Sequence, residues 1–365
     1  MRSYLDHNAT SPLKPSARAA MLSALAAGNA SSIHAEGRAA RALVDGAREE
    51  IAQVLGVLPQ MIVFTASGTE ANNLAVKGAP VERLILSRIE HPSVIEAARA
   101  TKLALEWIPV DPSGCIRLDA LEEILKRSTL PSLLSVMLVN NETGVIQPVR
   151  RIAELARSHN VLVHTDAVQA LGRMPVNFAV LGVDLMTVSA HKIGGPMGAA
   201  ALLLRDGLDL TVQMDGGGQE LRRRAGTENV GAIAGFAAAL AEGFSDMQLL
   251  RDRLESELEQ VSPDIQIFSR DAERIGNTTC FAVPAIPADG ALISLDLDGV
   301  AVSSGSACSS GKVGRSHVLD AMGVPPEVAR SALRVSFGWN SAPADVDAFI
   351  AAWRRMIDRT TRHAA

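Results

Sequence analysis

At 365 residues the chain exceeds what one hydrophobic core ordinarily serves, so two domains are expected. Its composition, 47% hydrophobic and 21% charged with a formal charge of -5, is that of a globular protein. No apolar run approaches the roughly 20 residues that span a bilayer, the opening Met-Arg-Ser-Tyr-Leu-Asp lacks a signal-peptide core, and scattered Lys and Arg make no extended basic face. Membrane attachment and direct nucleic-acid binding are therefore not expected, and a cytoplasmic location is. Three widely separated cysteines without C-x-x-C spacing argue against a disulfide framework and a structural zinc, so no metal site is expected.

In chain order, residues 4–12 form a polar, turn-rich opening segment that ends at Pro12. Alanine and leucine make residues 14–27 a helix stopped by Gly28-Asn29, and residues 35–55 read as a second helix with Leu43, Val44, Ala47, Ile51 and Leu55 on its apolar side. Short apolar runs at 61–64, 84–86, 133–139, 161–163, 184–188 and 199–204 then alternate with helical spacing near 70, 94–103, 118–125 and 152–156. That alternation predicts an α/β fold with a mostly parallel sheet covered on both faces. After Gly216-Gly217-Gly218, residues 230–258 read as one long alanine-rich helical stretch bridging two domains. Brief strands at 265–268, 278–283, 301–303 and 333–337, with helices at 288–297 and 344–357, predict a smaller α+β unit.

The polar residues that end the strands carry the chemistry, because a buried polar group is costly without a partner. In 184–198, D-L-M-T-V-S-A-H-K-I-G-G-P-M-G, a strand runs into Ser189, His191 and Lys192 and then glycines. Open α/β sheets bind ligands at that edge. Lys192 is the candidate reacting amine: it can form a Schiff base with an aldehyde cofactor once burial or neighbours lower its proton affinity. Asp166, ending V-L-V-H-T-D with Gln169 a turn further on, can hold the protonated ring nitrogen of a pyridine cofactor such as pyridoxal phosphate, or simply cap a helix. Ser67-Gly68-Thr69-Glu70 offers backbone N–H groups and hydroxyls to a phosphate, though Glu70 fits an ordinary capped helix equally. Ser189 and His191 can complete the anion cup. His91 can stack on a flat cofactor or stand exposed in its loop.

Cys308 lies in S-S-G-S-A-C-S-S-G, small residues that cannot pack well, and the composition predicts a mobile arm bearing a nucleophile rather than a structural thiol. Cys280 sits in an apolar run and reads as packing, and Cys115 as a bystander near a turn.

Taken together, S-A-H-K-I-G-G-P-M-G, H-T-D-A-V-Q, F-T-A-S-G-T-E-A-N-N-L, N-N-E-T-G and the cysteine loop resemble the cysteine desulfurases of the NifS/IscS branch. These are class-V, fold-type I pyridoxal phosphate enzymes, and the likeness runs from Tyr4 to the R-V-S-F-G strand near Gly338. The resemblance implies a large cofactor-binding α/β domain at 12–246, and a small α+β domain, 1–11 plus 247–365, that carries the cysteine loop. It implies that Lys192 bears the cofactor and moves the substrate Cα proton. Asp166 would pair with the pyridinium nitrogen, Gln169 would bond the ring oxygen, and His91, counted with Lys192 and Cys308 as catalytic, would stack on the ring. Gly68, Thr69, Ser189 and His191 would hold the phosphate, joined by Thr227 from the partner subunit of an obligate homodimer. Asn141, beside the cofactor, and Arg334 would hold the substrate carboxylate, a task that suits a guanidinium fork. Cys308 would take sulfur from L-cysteine as a persulfide, release L-alanine, and pass the sulfur to an acceptor protein for iron-sulfur cluster assembly, thio-cofactors or transfer RNA thiolation.

Three departures stand out: Ala30 where a proline is usual, Leu221 where an arginine is usual, and a short tail after Trp353 that leaves the acceptor open. Selenocysteine lyase, class-V aminotransferase with an incidental Cys308, and an inactive homolog serving as a binding partner are the alternatives. A thiol hydrolase built on Cys308 and His317 leaves the Asp166 and Lys192 motifs unexplained.

Overall fold

The computed structural model describes residues 2–284, 286–305 and 315–364, so Cys308 lies outside the described residues. The chain opens with β1 (Ser3–Tyr4) and then builds one sheet from β2 (Ile62–Thr65), β3 (Arg83–Ser87), β4 (Ala104–Ile108), β5 (Ser132–Ser135), β6 (Leu162–Asp166), β7 (Leu185–Ser189) and β8 (Ala200–Leu204). The spatial order is β2-β8-β7-β6-β5-β3-β4. Only β8 runs against the others, pairing antiparallel with β2 and β7, so the carboxyl ends of the remaining strands share one edge.

Strand alternation explains why helices cover both faces. Ile62 and Phe64 belong to one buried cluster and Val63 to another; Ile85 is split in the same way from Leu84 and Leu86, as are Leu134 and Leu133. A smaller antiparallel sheet follows from β9 (Gln266–Ile267), β10 (Thr278–Ala282), β12 (Ser303–Ser304) and β13 (Ala332–Ser336), in the order β12-β13-β10-β9, while β11 (Val300–Ala301) pairs with β1. Its separate core draws on Leu5 and on residues between Leu254 and Met356. There Phe281 meets Trp353 edge-on at 5.5 Å, and Phe349 stacks on Trp353 at 6.0 Å.

The sequence predicts neither β1 nor β4 and reads β11 and β12 as one strand at 301–303, and two further stretches also differ. The bridging stretch is two helices, Val230–Ala241 and Gln248–Val261, parted by Gly243 in the left-handed region at φ 76°. The run at 133–139 is regular strand only to Ser135: Val136 and Leu138 still donate to the β6 carbonyls of His164 at 3.1 Å and Asp166 at 2.9 Å, while pairing with β3 ends and the Met137 N–H donates to the Glu90 carboxylate at 2.8 Å. This stretch carries Met137, Val139 and Asn141 across the carboxyl edge of the sheet. Among the described residues no helix is long and apolar enough to cross a membrane.

Candidate active site

A cavity of about 220 Å³ opens at that carboxyl edge. Each wall lies at the end of a strand or within six residues after it: Ser67, Gly68 and Thr69 after β2, His91 and Ser93 after β3, Asn141 after β5, Asp166 and Gln169 at β6, and Ser189, His191 and Lys192 at β7. The mostly parallel order thus brings together residues up to 125 positions apart. A larger cleft of about 820 Å³, lined by Gly56, Phe178 and Asp184 among others, contains none of the residues singled out from the sequence.

Lys192 is half-buried, and its Nζ donates to the carbonyls of Asn8 at 2.6 Å and Ala9 at 2.7 Å. The next turn needs glycine. Gly194 sits at φ 80°, and a Cβ there would fall 2.6 Å from Cγ of Lys14. The opening segment therefore docks beneath the amine: Ser11 Oγ donates to the Lys192 carbonyl at 3.0 Å, and the Ser11 N–H to that of His191 at 2.8 Å.

Asp166 is buried, with one oxygen accepting from the Val168 N–H at 3.0 Å and the other from Asn72 Nδ2 at 2.8 Å. This side chain closes a local turn and faces the cavity, and no helix starts at Asp166 for it to cap. Asn72 also donates to Ser93 Oγ at 2.9 Å, and Ser93 reaches His91 Nδ1 through its hydroxyl at 2.7 Å and its N–H at 3.1 Å. Since Nδ1 accepts that N–H, the neutral ring carries its proton on Nε2. Burial lowers the proton affinity of His91, an effect the Asp166 charge opposes. His91 also caps the helix Pro92–Thr101.

The anion-binding side starts at the helix Gly68–Gly78, capped by Ser67, whose leading N–H groups at Gly68 and Thr69 have no intrahelical acceptor. Ser189 Oγ lines the same cavity, buried and without a hydrogen-bond partner among the described residues. His191 is held down to about 4 by burial and by the nearby Lys192 and Arg173 charges, so its ring is neutral. Glu70 resolves toward the capping reading: it accepts from the Ala66 N–H at 2.9 Å and pairs with Arg224 at 2.6 Å.

Two residues stand away from the cavity lining. Thr227 is exposed. Arg334 is 1% exposed in β13, an interior strand of the small sheet, where it donates to the Asn141 carbonyl at 2.9 Å and to Asp6 at 2.8 Å. An edge-strand surface pair is therefore not its setting, and its Nε has no hydrogen-bond partner among the described residues. Asn8, Asn72, Ser93, Glu90 and Glu142 were missed in the sequence. The motif containing Asn72 was visible there, but the pairing of Asn72 with Asp166 was not. Burial pushes Glu90 up to about 8 and Glu142 up to about 7, and Ser316, just beyond the cysteine loop, donates to Glu142 at 2.5 Å.

A half-buried lysine, a buried carboxylate and a hydroxyl unpaired among the described residues, at the carboxyl edge of a mostly parallel sheet, define an α/β enzyme. The chain belongs to the class-V aminotransferase family, which matches it over residues 3–349, and within that family to the cysteine desulfurases of IscS/NifS type. It is 38% identical to the cysteine desulfurase IscS of Dictyoglomus turgidum, over 98% of this chain and 94% of that protein. It is also 38% identical to the IscS-like cysteine desulfurase of Mycobacterium tuberculosis, over 99% and 98%. The solved NifS-like protein from Rickettsia africae superposes with a TM-score of 0.90 at 36% identity, covering 98% of this chain and 100% of that one. SspA in complex with cysteine superposes at 0.82 with 29% identity, covering 92% and 98%.

Proposed function

We propose that this protein is a pyridoxal phosphate-dependent cysteine desulfurase that converts L-cysteine to L-alanine and a persulfide on Cys308. The observation that carries the reading is the convergence of Lys192, Asp166, His91 and the unpartnered Ser189 hydroxyl on one cavity. The donor set fits the cofactor. The helix start at Gly68 and Thr69, Ser189 and His191 suit the phosphate, Asp166 the ring nitrogen, Gln169 the ring oxygen, and His91 the ring face. When bound, pyridoxal phosphate supplies an aldehyde for the amine and an electron sink for the substrate Cα.

The protein's own groups do the rest. Lys192 Nζ, once free of the Asn8 and Ala9 carbonyls, carries the proton taken from the substrate Cα. Arg334, aided by Asn141, binds the substrate carboxylate. The Cys308 thiolate attacks the substrate sulfur, so an S–S bond forms as the C–S bond breaks. The carbon left behind takes a proton to become alanine, and the sulfur stays on Cys308 for an acceptor protein, in iron-sulfur cluster assembly or thiolation. The division into domains at 12–246 and at 1–11 plus 247–365 belongs to the same reading, supported by the separate core around Trp353.

The reading includes a homodimer in which Thr227 completes the partner's phosphate site. Its support is a set of exposed apolar side chains: Ile33 is 91%, Met197 71% and Leu221 60% exposed. Gln219 bonds Ser31 at 3.4 Å, which places the last of these segments beside the first. A monomer in sedimentation at micromolar concentration would overturn it. A cytoplasmic location is also part of the proposal, in keeping with the free thiols of Cys115 and Cys280. The activity test is to incubate the protein with L-cysteine and a reductant. Equal yields of alanine and sulfide are expected, and both should be lost in Cys308→Ala while the cofactor absorbance remains. Sulfide release unchanged in Cys308→Ala would point to a lyase in which that thiol is incidental.

A further inference from the structure

Arg173 is a half-buried cation that the mechanism above leaves unused. It lies outside every motif quoted from the sequence, seven residues beyond Asp166. Burial, then the Arg334 charge, holds its guanidinium down to about 9, yet no carboxylate among the described residues pairs with it. All of its acceptors are neutral, and they belong to the three segments that floor the cavity. One terminal nitrogen donates to the Gln169 side-chain oxygen and to the Gln169 carbonyl at 3.3 Å; the other donates to the carbonyls of His7 at 2.9 Å and Lys192 at 3.4 Å.

This arrangement has a directional consequence. A guanidinium has donors and no acceptor, so it can hold only the oxygen end of the Gln169 amide. The nitrogen end must then face the other way, where Nε2 donates to the Asn8 carbonyl at 3.0 Å with one hydrogen and keeps the second. Gln169 lines the cavity, whereas Arg173 does not. Without Arg173 the amide could turn over and present an acceptor where a ring oxygen requires a donor. The Asn8 carbonyl that receives Nε2 is also the one that receives Lys192 Nζ, so the same network fixes the resting position of the amine.

We propose that Arg173 is a positioning residue that fixes the Gln169 amide with its donor toward the cofactor and ties the Lys192 backbone to the opening segment. The inference rests on the pyridoxal phosphate reading. Its test uses the full-length, cofactor-loaded protein and the position of the visible absorption band rather than turnover. Arg173→Met and Gln169→Leu should shift the band in the same direction by similar amounts, and the double variant should shift it no further, since residues acting through one contact are not additive. Arg173→Lys, which keeps a cation but loses the fork, should give a smaller shift that likewise vanishes in the Gln169→Leu background. If Arg173→Met does not fold, the Arg173→Lys cycle decides alone. A folded variant with the wild-type band, or shifts that add, would overturn the role of Arg173. No band in the wild-type protein would instead remove the cofactor reading, and this inference with it.

Discussion

Ser189 shows how one unpaired atom can separate a ligand site from a packing site. A buried hydroxyl without a partner costs the protein about 1–3 kcal/mol, and Ser189 Oγ is in that position. Ser189→Ala should therefore stabilise the cofactor-free protein by about 1 kcal/mol while loosening pyridoxal phosphate. Urea unfolding with and without the cofactor reads both signs, and destabilisation of the cofactor-free variant would refute the account of this atom. His164 gives a pH prediction. Burial holds its imidazole down to about 4, against about 6.5 in the unfolded chain. The unfolded state thus binds more protons between those values, so the contribution is full above 6.5 and is lost as pH falls toward 4. By pH 5 the loss is roughly 2 kcal/mol, and His7 and His191 act in the same direction. The fall in urea midpoint from pH 7 to 5 should be smaller in His164→Asn than in the wild type. At this scale the cavity residues Lys192 and Asp166 were legible because they sit in compact motifs. Asn72 was not, because its partners Ser93 and Asp166 lie 21 and 94 residues away, and Glu90 and Arg173 were not, because beside a near partner each is held by a distant one, Met137 47 and His7 166 residues away, that only the fold brings close.

Between the sheet and the exposed Thr227 lies a turn that the sequence gives little reason to expect. Glu220, Leu221 and Arg222 all have positive φ, at 46°, 55° and 64°, although none is glycine or asparagine. Left-handed backbone costs such residues about 1–2 kcal/mol each. The buried Glu220 carboxylate offsets this: it takes Arg48 through two bonds at 2.7 and 2.9 Å and the Phe64 N–H at 2.8 Å. Arg48 in turn lies over the Phe64 ring at 4.6 Å. Removing one partner of a buried pair leaves an uncompensated charge, so Arg48→Ala should cost about 3–5 kcal/mol, and Arg48→Ala with Glu220→Ala should recover part of it. Equal urea midpoints for Arg48→Ala and the wild type would show that the pair does not hold the turn. Most of the alternating strands and helices were legible from period, but β4 was not, and the 301–303 run was read as one strand where β11 and β12 join different sheets. The split at Gly243 was signalled by a glycine that alanine-rich flanks obscured. The left-handed turn depends on an ion pair formed across 172 residues, which no local pattern encodes.

For the molecule as a whole, six strands ending on one edge bring the cavity together, and the small sheet with its own core stands beside it with Arg334 and the two ends of the cysteine loop. The position of Cys308 in sequence, between β12 and the helix His317–Ala321, puts those ends next to Glu142 and the cavity's Asn141. The central claim is that this thiol receives the sulfur of cysteine. The most direct measurement is mass spectrometry of the protein after L-cysteine is added without reductant, with peptides alkylated before digestion. The account predicts a gain of one sulfur atom on the Cys308 peptide, absent in Lys192→Ala. No added sulfur on Cys308 while alanine accumulates, or added sulfur on Cys115 or Cys280 instead, would contradict it.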